Sequence, residues 1–216
     1  MTDLETIRRD LLDAALTHIP FDGWTPRALA AAAGDLGLPA DAAAHVFPRG
    51  VADLAAYFSA EFDRRMAAEL GRQEVAALPV RDRVARAVRA RLEAMAPHLE
   101  AVRRLAAYHA LPGRNIRAAR AVATTVDAIW RAAGDTSTDF NYYTKRGLLA
   151  PVYAATILYW LSDESEGHQE TWAFLDRRIA EILKIPAFQK RIVGLAGRLP
   201  SPARLLQRYR RGRSRA

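Results

Sequence analysis

Apolar residues recur at helical spacing along nearly the whole chain, and this periodicity constrains the fold more than any other feature. In segment 51–70, for example, one stripe contains Leu54, Phe58, Phe62 and Met66. Proline and glycine separate successive stripes, as expected at helix ends. The pattern predicts an all-α bundle of about nine helices plus a C-terminal amphipathic helix. The nine predicted helices span residues 3–19, 26–33, 39–46, 51–70, 80–96, 98–111, 115–133, 139–161 and 168–185.

The basic residues are distributed unevenly along the 216-residue chain. The formal net charge is +8, yet residues 182–216 contain ten Lys or Arg residues and no acid. The preceding part of the chain is therefore slightly acidic. A basic segment favours an anionic partner, either nucleic acid or a membrane surface, and the C-terminal tail is the segment to which this applies.

The tail has the pattern of a helix that lies in a membrane interface. Its apolar residues fall on one helical face and basic residues flank that face, an arrangement that lets arginine side chains reach the headgroups. The alternative is a terminal helix packed on the domain, with a solvated basic end. The candidate membrane-binding residues are Phe188, Lys190, Arg191, Ile192, Leu195, Arg198 and Leu199.

The first four predicted helices have the layout of the helix-turn-helix region of TetR-type repressors, but their residues do not suit DNA. Residues 1–60 contain four arginines and eight acidic residues. Base edges and phosphates are contacted mainly by Arg, Lys, Asn and Gln. In the predicted recognition helix, only His45 can donate to DNA, and phosphate would repel Asp41. We therefore expect a repressor-like fold that does not bind nucleic acid.

The sequence contains no recognisable catalytic or metal-binding motif. Its five histidines form neither HExxH nor ExxH, and there is no cysteine, GxSxG motif or phosphate-binding glycine loop. His109, next to Tyr108, is either a polar group in a pocket or a structural histidine. We therefore expect a protein that is not an enzyme and needs no cofactor or metal.

A block of polar and aromatic residues gives the chain a resemblance to a known family. Residues 137–146 read STDFNYYTKR, preceded by Gly134-Asp135 and followed by TWAFLDRR at 171–178. Together with Gly23-Trp24-Thr25 and Leu111-Pro112, this block resembles the lipid-binding accessory proteins of coenzyme Q biosynthesis. The resemblance extends over most of the chain.

The resemblance implies a TetR-like fold and a homodimer that binds lipid and not DNA. It also implies that an isoprenoid quinone intermediate, or a phospholipid, occupies a hydrophobic pocket. Peripheral membrane attachment and presentation of the quinone to the demethoxyubiquinone hydroxylase are implied as well. The regions are then a degenerate helix-turn-helix region at 1–70, a lipid-binding and dimerisation region at 71–185, and a membrane-association tail at 186–216.

The expected cellular location of the protein rests on two kinds of segment that the sequence does not show, a targeting segment and a membrane-spanning segment. No targeting segment is recognisable at the N-terminus. The longest apolar run, 148–161, is shorter than the roughly 20 residues that span a bilayer. We therefore expect a bacterial protein on the inner face of the cytoplasmic membrane.

Two further sets of site residues are expected. The resemblance places the hydroxylase-binding patch around an aromatic pair, with packing between helices as the alternative. Its residues are Asp139, Phe140, Asn141, Tyr142, Tyr143 and Arg146. The apolar positions of helices five to seven are candidate pocket walls, with ordinary core packing as the alternative. These are Leu92, Met95, Leu105, Tyr108, Val126, Ile129 and Trp130.

Two other classes of function stay open at this point. One is a ligand-responsive transcriptional regulator, and the other is a membrane-tethering module without lipid cargo.

Overall fold

The structure is a computed structural model that describes residues 4–39, 41–73, 75–136 and 140–196. Side chains are described in these ranges except at 140–142 and 183–196. The backbone there is mostly helical and contains no strand, which confirms the predicted all-α fold. The α-helices within them are α1 Leu4–Asp22, α2 Pro26–Asp35, α3 Ala42–Val46, α4 Val51–Arg72, α5 Val80–Met95, α6 Leu99–Ala110, α7 Asn115–Ala132, α8 Phe140–Ser162 and α9 Gln169–Ala196.

Proline predicts two helix ends that the structure places later. Helix α1 continues through Pro20 to Asp22, and α9 extends to Ala196 instead of ending at 185. Pro20 and Pro186 each remove one main-chain hydrogen bond, but the backbone on both sides of each proline is helical. The backbone of the predicted tail is therefore helical through Ala196 and continuous with α9. Arg198 and Leu199 lie outside the described residues.

The start of α2 shows how local sequence fixes a helix boundary. Thr25 has extended backbone angles, and its hydroxyl accepts a hydrogen bond from the Ala28 amide at 3.4 Å. Pro26 occupies the first helical position, where its missing N–H needs no partner. The predicted cap is therefore confirmed.

A buried tryptophan joins the N-terminal helices to the rest of the bundle. The Trp24 indole N–H donates to the Ala101 carbonyl in α6 at 2.9 Å. Its ring packs edge-on against Phe58 in α4, with the ring centroids 5.3 Å apart. Burying a large apolar side chain contributes roughly 1.5–3 kcal/mol. The helix-turn-helix-like region and the larger bundle therefore share one core.

The centre of the bundle is built on α4. Helix α4 packs against α5 and α7, α7 packs against α8, and α8 packs against α9. Phe58 and Phe62 from α4 and Leu92 and Met95 from α5 are almost completely buried. Helix α6 packs against α7, so the five helices α4 to α8 surround the same space.

The end of α7 is set by Gly134, which has a positive φ of 81°. The Gly134 amide donates to the Arg131 carbonyl and the Asp135 amide donates to the Trp130 carbonyl, both at 2.9 Å. This pair of bonds is the Schellman arrangement that ends many helices. A β-carbon on Gly134 would also lie 2.8 Å from Nη1 of Arg83. Glycine at 134 therefore fixes how the chain leaves α7 and enters the block before α8.

We expect Gly134→Ala to lower the free energy of unfolding by about 1–2 kcal/mol, because a β-carbon disfavours the left-handed backbone. Gly147→Ala in α8 is the matched control, since no neighbouring atom lies within 4 Å of its β-carbon position. Alanine has the higher helix propensity, so this control is expected to keep or raise the stability. Urea unfolding measures both changes. Equal midpoints for the two variants would contradict this account of Gly134.

Candidate functional site

An apolar cavity of about 220 Å³ lies between helices α4 to α8. Its walls include Phe58 of α4, Met95 of α5 and Leu105 of α6. Leu158 of α8 also lines it and is 62% exposed, so it lies near the opening. A cleft or cavity with mostly apolar walls is the usual form of a small-molecule site. We call this space the apolar cavity.

A buried ion pair contributes polar groups to the apolar cavity. Arg91 of α5 donates through Nε to Oδ1 of Asp63 in α4 at 2.7 Å, and both side chains are nearly inaccessible to water. Arg91 Nη2 also donates to the Ser59 hydroxyl at 3.0 Å, and the Thr125 hydroxyl donates to Asp63 Oδ2 at 3.2 Å. Ser59, Arg91 and Thr125 line the cavity. A buried charge needs such partners because desolvation is costly.

Tyr153 of α8 completes this polar cluster, which we define as Ser59, Asp63, Arg91, Thr125 and Tyr153. The Tyr153 side chain lines the apolar cavity and is 2% exposed. Burial raises the pKa of Tyr153 to about 12, although the nearby positive charge of Arg91 opposes that shift. The phenol is therefore neutral at physiological pH and keeps its proton for hydrogen bonding.

Arg91 retains hydrogen-bonding capacity on the side of Met95. Its Nη1 contacts the Met95 sulfur at 3.2 Å, and a thioether is a weak acceptor. Both residues line the apolar cavity. A ligand oxygen would be a stronger acceptor for the guanidinium than that sulfur. The cavity therefore combines apolar walls with a few polar donors, a combination that suits an oxygen-bearing apolar ligand.

A second cavity of about 210 Å³, the polar cavity, adjoins the first. Both cavities are lined by Ala55, Ser59, His109 and Ala121, so they lie on either side of these residues. The polar cavity is also lined by cationic and aromatic side chains. These are Arg49, Tyr108, Arg117 and Arg120.

His109 lies at the boundary between the two cavities. Its Nδ1 atom is buried and has no hydrogen-bond partner. Burial, and secondarily the charge of Arg114, lowers the pKa of His109. The imidazole is therefore neutral near pH 7, and the structure places it in the walls of both cavities.

The predicted pocket residues divide into two groups. Met95 and Leu105 line the apolar cavity, and Tyr108 lines the polar cavity. The other four are buried in the hydrophobic core and do not line either cavity: Leu92, Val126, Ile129 and Trp130. Whether any of them binds lipid stays a prediction.

Sequence reasoning missed the polar cluster. The sequence does contain a sign of this cluster, because Arg91 lies on the same buried face of α5 as Val88 and Met95. Asp63 similarly follows Phe62 on the buried side of α4. A charged residue inside an apolar stripe is unusual and indicates an internal partner.

The predicted partner-binding patch is described at only two of its six positions. Tyr143 in the first turn of α8 is 72% exposed. Arg146 is largely buried and donates to Asp127 at 2.7 Å and to Asp135 at 3.2 Å. Arg146 therefore ties the start of α8 to the end of α7. Asp139 and the side chains of Phe140, Asn141 and Tyr142 lie outside the described residues.

Among the described residues, no group of three or more His, Cys, Asp or Glu side chains could hold a metal ion. None of the described helices is long and apolar enough to cross a membrane.

The fold and its cavities define an all-helical protein of TetR-like architecture. A TetR transcriptional regulator from Nitrosomonas europaea ATCC 19718 superposes with a TM-score of 0.66 over 82% of this chain and 98% of the regulator. The two chains are 22% identical, so this likeness concerns the fold alone.

Sequence comparison then relates the chain to COQ9 proteins. A family model described as COQ9 matches residues 116–186. The ubiquinone biosynthesis protein COQ9 of Drosophila melanogaster is 35% identical over 199 residues, which cover 89% of this chain and 60% of that protein. The human protein of the same name is 33% identical over 87% of this chain and 61% of its own length. The chain is similar to COQ9 proteins over most of its own length and spans about three fifths of the length of these mitochondrial relatives.

The buried phenol predicts a specific pH dependence of stability. Tyr153 ionises near pH 12 in the folded state and near pH 10 in the unfolded chain. Stability from the neutral phenol is present below pH 10 and is lost as the pH rises toward 12, by about 2–3 kcal/mol. We expect urea unfolding of Tyr153→Phe to lose less stability between pH 9 and pH 11.5 than the wild type does. Parallel pH profiles for the two proteins would contradict the burial of the phenol.

Proposed function

We propose that this protein is a non-catalytic accessory factor of ubiquinone biosynthesis. It binds an isoprenoid quinone intermediate and presents it to the demethoxyubiquinone hydroxylase. Similarity to COQ9 proteins over most of the chain supports the pathway. The observation that carries the binding role is the apolar cavity with hydrogen-bond donors at Arg91 and Tyr153.

The chemistry of the apolar cavity favours a quinone over a plain hydrocarbon. Its walls remove apolar surface from water, which stabilises a bound chain by about 0.8 kcal/mol per CH₂ group. The guanidinium of Arg91 and the neutral phenol of Tyr153 can donate to ring oxygens, which a hydrocarbon lacks. Each cavity is smaller than the roughly 300–1,000 Å³ of typical ligand sites. A long prenyl chain would therefore extend beyond the apolar cavity.

A phospholipid is a second candidate cargo, and a specific feature favours it. Arg117 and Arg120 line the polar cavity next to the apolar one, so a phosphate could lie beside an acyl chain. Both ligands would use the same two cavities, and titration with each distinguishes them.

We expect Ala121→Trp to abolish quinone binding, because Ala121 lines both cavities and the indole would fill the space between them. Ala119→Trp is the matched control, since Ala119 is exposed on the same helix. Calorimetric titration with a short-chain ubiquinone analogue in detergent measures the binding. Binding that persists in the Ala121 variant would contradict assignment of the cargo to these cavities.

The proposed hydroxylase contact lies at the start of α8. Tyr143 is exposed there, and Arg146 anchors the same turn through its ion pairs with Asp127 and Asp135. Tyrosine is enriched among interface residues that carry large shares of the binding energy. We assign Tyr143 to direct contact with the hydroxylase and Arg146 to positioning of the contact surface.

We expect Tyr143→Lys to weaken binding of the hydroxylase at least tenfold without lowering the melting temperature, because the side chain is 72% exposed. Phe21→Lys is the matched control, as Phe21 is 84% exposed at the end of α1. Surface-based binding measurements with purified hydroxylase give the two affinities. Equal affinities would remove Tyr143 from the interface, and a large fall in melting temperature would assign it to packing.

Membrane attachment completes the proposal. The basic residues of the tail suit an anionic surface, where each contributes up to about 1 kcal/mol. We propose that the protein is a homodimer held on the inner face of a bacterial cytoplasmic membrane by its tail. There it would take up its cargo and pass it to the enzyme.

The TetR-like fold favours one rival function, a ligand-responsive transcriptional regulator. The local chemistry of α3 argues against it. Asp41 and His45 are exposed at this helix and face each other, with Nδ1 of His45 3.7 Å from the Asp41 carboxylate. A gel-shift assay at low salt separates the two functions, because DNA binding through phosphate contacts is strongest there.

A further inference from the structure

The corner between α6 and α7 exposes two large apolar side chains. Leu111 is 49% exposed and Ile116 is 71% exposed. Single exposed apolar residues are normal on a protein surface, but these two are only five positions apart in the sequence, at either end of the connection between α6 and α7. Residues 101–126, which include that turn, contain five arginines and no acidic residue. An apolar tip within a purely basic segment calls for a physical explanation.

Two of these arginines are exposed and have no carboxylate partner within the described part of the chain. Arg117 and Arg120 are exposed on the first turns of α7, and no ion pair is found for either. Arg103 and Arg104 differ, since both pair with Glu100 in α6. The charge of Arg117 and Arg120 is therefore not neutralised locally. It is available to an external anion.

Helix α7 presents different chemistry on its two sides. Ile116, Ala119 and Ala123 are exposed and fall within about 60° of one another at the helical repeat, with Arg120 beside them. On the opposite side, Val122 and Thr125 line the apolar cavity. The same helix therefore separates an outward apolar stripe, edged by arginine, from the interior of the bundle.

We propose that the α6–α7 corner, defined by Leu111, Ile116, Arg117 and Arg120, is a second membrane-contact surface, located on the folded domain itself. Leu111 and Ile116 insert among the headgroups, and the two arginines bind lipid phosphates. Apolar side chains bordered by arginine are the combination that suits an anionic interface. This surface is distinct from the basic tail and does not require that the protein carry a quinone.

Charge argues against other occupants of this corner. Two copies joined corner to corner would bring arginines against arginines, which is unfavourable. Nucleic acid would match the charge but would leave Leu111 and Ile116 without apolar contacts. An anionic bilayer satisfies both the apolar and the basic groups. It would also bring Arg117 and Arg120, which line the polar cavity, next to the lipid headgroups.

The absence of cysteine from the chain allows a direct test with site-specific probes. Full-length Ile116→Cys is labelled with an environment-sensitive fluorophore, and Phe21→Cys serves as the exposed apolar control. Vesicles of phosphatidylcholine with phosphatidylglycerol are compared with vesicles of phosphatidylcholine alone. We expect a blue shift at position 116 with the anionic vesicles and quenching there by brominated lipid. Position 21 is expected to show neither effect.

Several outcomes would overturn the proposal. If the protein sediments with vesicles while the probe at 116 does not respond, the tail accounts for binding. Equal responses at 116 and 21 would indicate non-specific adsorption. A blue shift that follows protein concentration without vesicles would indicate an interface between copies. Because quinone titration in detergent is a separate measurement, failure of this proposal is distinguishable from failure of the proposed function.

A separate variant tests whether the charges of Arg117 and Arg120 contribute to membrane binding. We expect the double variant Arg117→Gln with Arg120→Gln to reduce affinity for the anionic vesicles by about tenfold or more, since each basic residue near such a surface contributes about 1 kcal/mol. Arg81→Gln with Arg86→Gln in α5 makes the same change in net charge elsewhere. Equal losses for the two double variants would show that only net charge matters and would contradict a localised surface.

Discussion

The buried ion pair between Arg91 and Asp63 is the interaction on which the rest of the site depends. It joins α5 to α4, and Thr125 extends the contact to α7. Removing one partner of a buried pair typically costs about 3–5 kcal/mol, because the other charge stays unpaired. The pair therefore holds three helices together at the same place where it supplies donors to an apolar cavity. Under the proposed function, stability and ligand recognition are coupled there, so changes at either residue are expected to affect both.

The same fold can serve different chemistry because the residues that hold the framework together differ from the surface residues that contact a partner. The TetR-like framework is kept through contacts such as that of Trp24 with Ala101 and Phe58. The surface that reads DNA in a repressor carries here the exposed Asp41 and His45. Function is determined by the groups that the framework positions, and a shared fold does not transfer it.

The helices were largely predictable from sequence, because their signals are local. The cap at Thr25 and Pro26 and the apolar stripe of α4 each specify a boundary or a buried face without reference to distant residues. Proline was the least reliable signal, since α9 continues past the predicted end at 185. A proline weakens one helical turn, but apolar residues on both sides of it still recur at helical spacing.

The cavity was predicted only in part, because it depends on distances between helices. Met95 and Leu92 share the buried face of α5, yet Met95 lines the apolar cavity and Leu92 packs in the core. No one-dimensional pattern separates these two positions. The position of Arg91 in an apolar stripe indicates at most an internal partner, and only the tertiary structure identifies that partner as Asp63. Family resemblance indicates Tyr143, whereas the anchoring of Arg146 by Asp127 is visible only in the folded chain.

If the bundle binds an apolar cargo, as we propose, the cargo should remain with the purified protein and be found in its lipid content. The full-length protein is isolated from a host that makes ubiquinone, and bound lipids are extracted and quantified by mass spectrometry. We expect an isoprenoid quinone or one of its precursors at close to one molecule per chain. A homogeneous, folded protein that contains no isoprenoid and takes up none from quinone-loaded vesicles would contradict it.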